Sequence, residues 1–241
     1  VAGLDRTRGP DLISCDVRDQ VQVDAAVRRA VARLGGLDVL INCAGVGDAQ
    51  STGAAPDERA LAVLDINLFG AWRVTAAALA DLRASRGRVV NVASGLAFLT
   101  LPFAPAYCAS KRALVAYSDA LRLEHGDAIT VTTVYPGYIR TPIHRAPAER
   151  GVSLEGLVPA ERLERAVATL VRAALGRPAR DLATTRTGAA GYLLLRHLPR
   201  GLVDRAVRRG LRRGVAAGRV SPAGLAAELA ERLTAAATPR A

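Results

Sequence analysis

The sequence predicts an α/β protein: one parallel sheet covered by helices on both faces. Three observations lead there. Short β-branched runs alternate with longer segments of helical periodicity, the pattern of strand–helix–strand units. The 241 residues suit one domain of this class with additions, and are enough to bury a core. The polar motifs fall at the ends of strands or just after them, where open parallel sheets bind their ligands.

Taken in order, Val1–Leu4 and Leu12–Ser14 are short apolar runs that read as buried strands. An amphipathic helix is predicted over about Gln20–Leu34. Leu37–Ile41 reads as a strand that ends in Asn42-Cys43-Ala44-Gly45. A long helical stretch then covers about Asp57–Ser85, followed by a strand over Arg88–Val92. Ala106–Glu124 is helical, and Ile129–Tyr135 is a strand closed by Pro136-Gly137. Near the C-terminus a helix is expected over about Leu202–Arg213. Ser221-Pro222 reads as an N-cap with proline at N1, opening a last short helix to about Leu233.

Composition narrows the possibilities. Half of the residues are hydrophobic, and no apolar run is seen that reaches the length of a membrane span. A soluble or at most surface-bound protein is therefore expected. Cys15, Cys43 and Cys108 are too few and too scattered for a disulfide framework or a zinc site. Each lies in an apolar stretch and is expected to act as a small buried hydrophobe in a reducing cytoplasm. No secretory signal precedes the first strand, and the sequence contains no methionine.

Of the 33 Lys plus Arg residues, only Lys111 is lysine. In a chain so biased toward arginine, it is expected where a guanidinium cannot serve. It follows Tyr107 by four residues, and on a helix that spacing sets both side chains on one face. An ammonium there is expected to lower the phenol's pKa and make it a general acid/base. A solvated surface pair is the plainer alternative.

Over roughly residues 1–185 these motifs resemble the short-chain dehydrogenases/reductases. Cys15-Asp16-Val17 resembles the family's Asp-Val contact with adenine, and Asn42-Cys43-Ala44-Gly45 its Asn-Asn-Ala-Gly turn, with cysteine in second place. Asn67, in Asp65-Ile66-Asn67-Leu68-Phe69-Gly70, matches the helix asparagine of the family's catalytic tetrad. Ser94 precedes Tyr107 by 13 residues, the family's interval. Pro136-Gly137-Tyr138-Ile139-Arg140-Thr141 resembles the loop that holds the nicotinamide.

The resemblance implies a Rossmann-like, doubly wound, three-layer α/β/α fold. It also implies reversible hydride transfer between NAD or NADP and an alcohol or ketone. Tyr107 would exchange the proton with the substrate oxygen, and Ser94 would donate to that oxygen. Lys111 would tune Tyr107 and bond the nicotinamide ribose. Asn67 would distort its helix and hold a water leading from Lys111. Asn42, Ala44, Gly45, Pro136, Gly137, Ile139 and Thr141 would line the cofactor, with Asp16 and Val17 at its adenine end. Asp5 ends the first strand, where an acid can bond both ribose hydroxyls and favours NAD. Arg6 could instead grip the 2′-phosphate of NADP, and Asp5 could be only a turn former. A homodimer or homotetramer is implied.

The resemblance fails at the start. The family opens with a strand and a glycine-rich turn that lays the pyrophosphate on a helix N-terminus, and neither is present. Val1 corresponds to the family's second strand. The expectation is an N-terminally truncated chain, whose two N-terminal strands lack the neighbour joining them to the sheet and which binds cofactor poorly as written.

Residues 186–241 form a separate basic helical extension, expected to pack on the domain, on a partner subunit or on a membrane. Between Arg186 and Arg219, nine arginines against one acid, Asp204, leave +8 of the chain's +11. Leu202, Val203, Ala206, Val207 and Leu211 are read as an apolar stripe, with the arginines largely off it. Peripheral contact with an anionic membrane through residues 186–219 is one expected fate. Nucleic acid is a less favoured partner, because no binding module accompanies the charge. The stretch from Thr141 to Glu164 is expected to form a lid over the substrate. Leu96, Phe98 and Tyr138 suggest an apolar pocket for a hydrophobic alcohol or ketone, and His144 is expected at the surface. A non-catalytic cofactor-sensing or membrane-bound scaffold on the same fold, or an inactive fragment, is the other functional class.

Overall fold

Short parallel strands and longer helices alternate through the computed structural model, which describes residues 1–7, 9–153, 155, 160–185, 188–217 and 224–235. The first elements are β1 (Gly3–Asp5), β2 (Leu12–Ser14), α1 (Gln20–Leu34) and β3 (Val39–Asn42). Next, α2 (Glu58–Leu64) runs through a π-helical turn, Asp65–Gly70, into α3 (Ala71–Ala84). Then come β4 (Arg88–Val92), α4 (Pro105–His125), β5 (Thr130–Tyr135) and the short α5 (Arg145–Glu149). The chain continues with α6 (Leu163–Leu175), β6 (Asp181–Ala183), α7 (Gly188–His197), α8 (Arg200–Ala216) and α9 (Ala226–Ala235).

Local chemistry accounts for the best-predicted boundaries. α1 opens at Asp19, whose carboxylate accepts from the amides of Val21 and Gln22. It stops at Gly35, whose φ of 73° is open to glycine at no steric cost. α4 begins with Pro105 at its first position, where the missing N–H breaks no helical bond. Neither α6 nor β6 was predicted from the sequence, and β6 is only three residues long. The proposed Ser221-Pro222 cap lies outside the described residues.

The strands form two separate ladders. β3, β4, β5 and β6 are joined in that order, all parallel. β1 and β2 pair only with each other, also in parallel. Such pairs normally need a crossover of a dozen or more residues; here the strands are so short that residues 6–11 suffice. No ladder joins β1 to β3 among the described residues, as expected.

Side chains hold the two sheets together instead. One buried cluster combines Ile13 and Cys15 with Val23 and Val27 of α1, Val74, Ala78 and Leu82 of α3, Val89 of β4 and Val131 of β5. Full burial of a Val or Leu contributes about 1.5–3 kcal/mol, so the N-terminal unit is fixed by packing rather than by backbone pairing. The continuous helix Glu58–Ala84 corrects one expectation: by length and composition it is apolar enough to cross a membrane. Val74, Ala78 and Leu82 of that helix pack in the core.

The extension is joined to the domain. Tyr192 of α7 stacks on Phe98, ring centroids 5.4 Å apart, and meets Tyr135 at 5.8 Å. Gly95 permits this, because a Cβ there would lie 2.5 Å from the Tyr192 hydroxyl. In α8, Val203 is buried and Val207 and Leu211 half-buried, whereas Leu202 and Ala206 are exposed. The predicted apolar stripe is therefore narrower, because only the side carrying Val203, Val207 and Leu211 is covered. Cys15 and Cys108 are buried as expected, but Cys43 is exposed; it lies one residue past the end of β3.

Candidate active site

The first turns of α4 set Tyr107, Ser110 and Lys111 on one side of the helix. Lys111 is 4% exposed, and its Nζ donates to the carbonyl of Val92, at the end of β4, over 2.9 Å. The same Nζ lies 5.8 Å from the centre of the Tyr107 ring. Burial pushes the Lys111 ammonium down to about 8, with Cys43 acting in the opposite direction.

Tyr107 departs from the expectation. Burial holds its phenol above the ordinary value, and hydrogen bonding with Ser94 only partly draws it back. Removing a phenolate from water costs more here than that hydrogen bond returns. Ser94 is 9% exposed and caps the 3₁₀ turn Gly95–Ala97 by accepting from the amide of Leu96.

Asn67 sits inside the π-helical turn, 1% exposed. Its amide pairs twice with the backbone of Val46: Oδ1 accepts from the Val46 amide at 2.8 Å, and Nδ2 donates to the Val46 carbonyl at 2.9 Å. Nδ2 also donates to Ser110 Oγ, which donates to the Tyr107 carbonyl. The helix thus clamps the loop after β3 and connects it to α4. A Cβ on Gly45 would lie 3.4 Å from Asn67 Oδ1 and 3.5 Å from Lys111 Nζ, so Gly45 adjoins both.

A buried polar chain beneath this group was not read from the sequence. Asn42 Nδ2 donates to Asn91 Oδ1 and to Thr75 Oγ1, and Asn91 Nδ2 donates to Ser118 Oγ. Asn91 is fully buried; an asparagine in the middle of an apolar strand was its only signal. It ties the ends of β3 and β4 to α3 and α4.

The loop after β5 lies alongside. The Pro136 carbonyl accepts from the amide of Gly95 at 2.9 Å. Gly137 N donates to Thr184 Oγ1, and the Thr184 hydroxyl donates to Glu161. Neither partner was predicted: Glu161 lies in the stretch expected to form a lid, and no element was assigned around Thr184. Ile139 bridges to Glu161, and its carbonyl accepts from His144 Nε2–H. His144 is thus half-buried rather than a surface group, with its pKa lowered by burial. Thr141 opens the 3₁₀ turn Pro142–His144.

The residues expected at the adenine end lie on the other sheet. Asp5 accepts from the amide and hydroxyl of Thr7, which lowers its pKa; this is the turn-forming role. Asp16 is held by the Arg18 guanidinium and is drawn down to about 2. Val17 packs against Gly70, where a Cβ would lie 2.6 Å from it. Ala44 is exposed.

The substrate wall needs one correction. Phe98 is 8% exposed and packs with Tyr135 and Tyr192 in a core cluster, because α7 covers it. Leu96 remains half-buried beside Ser94. Tyr138 tilts against His144 at 4.8 Å and borders a hollow of about 350 Å³ with Arg140, Thr141 and Glu155. That side is polar.

A dinucleotide fits the nicotinamide-side residues. Lys111 is a buried ammonium with three donors and a single bonded acceptor among the described residues, the Val92 carbonyl. Ribose hydroxyls would suit the remaining donors. At the pyrophosphate position the described residues offer no glycine-rich turn.

Residues 6–150 match the family model described as short chain dehydrogenase. The chain is 35% identical to Oxidoreductase UcpA of Escherichia coli over 141 residues, 57% of this chain and 54% of that protein. It is 35% identical to 11-beta-hydroxysteroid dehydrogenase 1A of Arabidopsis thaliana over 147 residues, 59% of this chain and 42% of that protein. The chain spans about half the length of the curated relatives it matches. Among solved structures it resembles a short chain dehydrogenase from Burkholderia cenocepacia in complex with NADP. The TM-score is 0.71 at 25% identity, covering 86% of this chain and 85% of that one.

Proposed function

The chain belongs to the short-chain dehydrogenase family, and from that membership we propose that it is an NAD(P)-dependent oxidoreductase interconverting a ketone and an alcohol. One observation carries the proposal. Ser94, Tyr107, Lys111 and Asn67, from three separate stretches of chain, are connected by direct contacts or through Ser110.

The bound nicotinamide would supply or accept the hydride. Tyr107 Oη gives its proton to the substrate oxygen in reduction and takes it back in oxidation. Ser94 Oγ–H donates to the same oxygen and holds it within reach of Tyr107. Lys111 bonds the ribose hydroxyls, and its charge offsets that of the phenolate when the proton leaves. Asn67 keeps the Val46 backbone against this group. A phenol held above its ordinary pKa by burial is protonated at neutral pH, the form that donates in ketone reduction.

Leu96 and the Tyr138 ring support an apolar group next to the reacting carbon, with the polar hollow farther out. NAD would be favoured over NADP if Asp5 exchanged its Thr7 contacts for the ribose hydroxyls. Leu163, Val167, Val171 and Leu175, an exposed apolar ridge along α6, support a homo-oligomer.

The test is the natural gene product assayed with NADH and NADPH against a panel of ketones and alcohols. Tyr107→Phe should lower turnover by about 10²–10⁴-fold while NADH binding, followed by fluorescence, stays within a few-fold. Wild-type protein that binds NADH but turns over nothing in the panel would instead favour the non-catalytic scaffold.

A further inference from the structure

We propose that the outer face of α8 docks on an anionic lipid surface; this does not depend on the catalytic reading. The helix is covered along one side only: Val203 and Gly214 are buried, and Val207 and Leu211 half-buried, and α9 is the element packed against it. At about 100° per residue, Arg205, Arg208, Arg209, Arg212 and Arg213 fall on an arc of about 140° opposite that stripe. All five are exposed, and they span about 12 Å along the axis.

None of these arginines forms an ion pair among the described residues. Arg200, at the start of the helix, differs, because it donates to the Phe98 carbonyl at 3.0 Å. Among the described residues, Asp204 lies on the helix itself and Glu231 on α9, which packs against it. Among the described residues no acid pairs with this basic face, and its complement is a surface carrying several negative charges.

Exposed leucines choose between the candidate polyanions. Leu202 is 52% exposed and belongs to the arginine arc, and Leu194, just before the Pro199 corner, is 63% exposed. At a bilayer surface both would enter the boundary between headgroups and acyl chains while the arginines meet phosphates. A nucleic-acid backbone offers them nothing comparable. Because Val203, Val207 and Leu211 of the helix's apolar stripe are already covered, contact is shallow and mainly electrostatic. It should weaken steeply as salt shortens the screening length.

The experiment is vesicle flotation of the intact chain with phosphatidylcholine alone and with phosphatidylglycerol mixed in. Binding is expected only to the mixed vesicles, and should be lost between about 0.1 M and 1 M salt. Each arginine near such a surface contributes about fivefold to partitioning. Changing Arg205, Arg208, Arg209 and Arg212 together to glutamine should therefore lower partitioning by at least about a hundredfold. The matching lysine variant should retain most of it. Arg28→Gln with Arg29→Gln, exposed on α1, should change it little, and circular dichroism verifies that each variant is folded. Equal binding to neutral vesicles, or an unchanged quadruple variant, overturns the proposal. So does α8-dependent binding to duplex DNA without binding to vesicles, which would assign the face to nucleic acid.

Discussion

Lys111 is the residue whose spacing was most informative and whose environment least visible beforehand. Its distance from Tyr107 and its isolation among arginines pointed to a special position, and it is indeed buried against the Val92 carbonyl. The expected lowering of the Tyr107 pKa did not follow, because charge coupling depends on spacing whereas desolvation depends on everything packed around the pair. The burial has a measurable consequence. With a folded pKa of about 8 against the ordinary 10.5, both folded and unfolded chains carry the proton below pH 8, and the fold bears the full cost of the buried charge. From pH 8 to 10.5 the unfolded chain binds more protons, so stability from this group rises with pH and is lost again as pH falls through 8. Lys111→Met should therefore raise stability at pH 7, by on the order of 2 kcal/mol, while abolishing turnover. Melting temperatures of the two proteins should converge near pH 11. A variant that melts lower than wild type at pH 7 would show that the lysine's hydrogen bond outweighs its desolvation.

At the scale of elements, the helix Glu58–Ala84 was legible as one long helix, and the distortion at Asn67 was implied by family resemblance. The π turn Asp65–Gly70 accords with that implication. The twofold pairing of Asn67 with Val46 could not be read, because its partner is 21 residues away on a loop. α6 went unassigned although its pattern is simple. Leu163, Val167, Val171 and Leu175 recur every four residues, at 54%, 50%, 52% and 76% exposure, on a helix that packs across β4, β5 and β6. A continuous exposed apolar ridge of this kind marks an interface, and a second copy of the chain is the proposed occupant. Val167→Asp with Val171→Asp should shift sedimentation to the monomer and leave helical circular dichroism unchanged. If wild type already sediments as a monomer, the ridge has another role.

For the whole molecule, the two-ladder sheet predicts uneven stability. β4 and β5 pair over five residues with neighbours on both sides, whereas β1 and β2 have only each other. In hydrogen exchange, amides of residues 3–5 and 12–14 should lose protection well before those of Val89–Val92 and Val131–Val134. Equal protection would mean that the N-terminal pair unfolds only with the rest. The sequence by itself determined the strand–helix alternation, the extent of α1, and the spacing of the residues that carry the candidate chemistry, because each depends on local periodicity or local backbone preference. Tertiary structure alone decided which of those residues meet. It assembled the Asn42–Asn91–Ser118 chain, moved Phe98 from pocket wall to core beneath Tyr192, engaged Asp5 and Asp16 locally, and turned the α8 arginines outward. Those outcomes depend on packing between segments distant in the chain, and no local pattern encodes which surfaces that packing will cover.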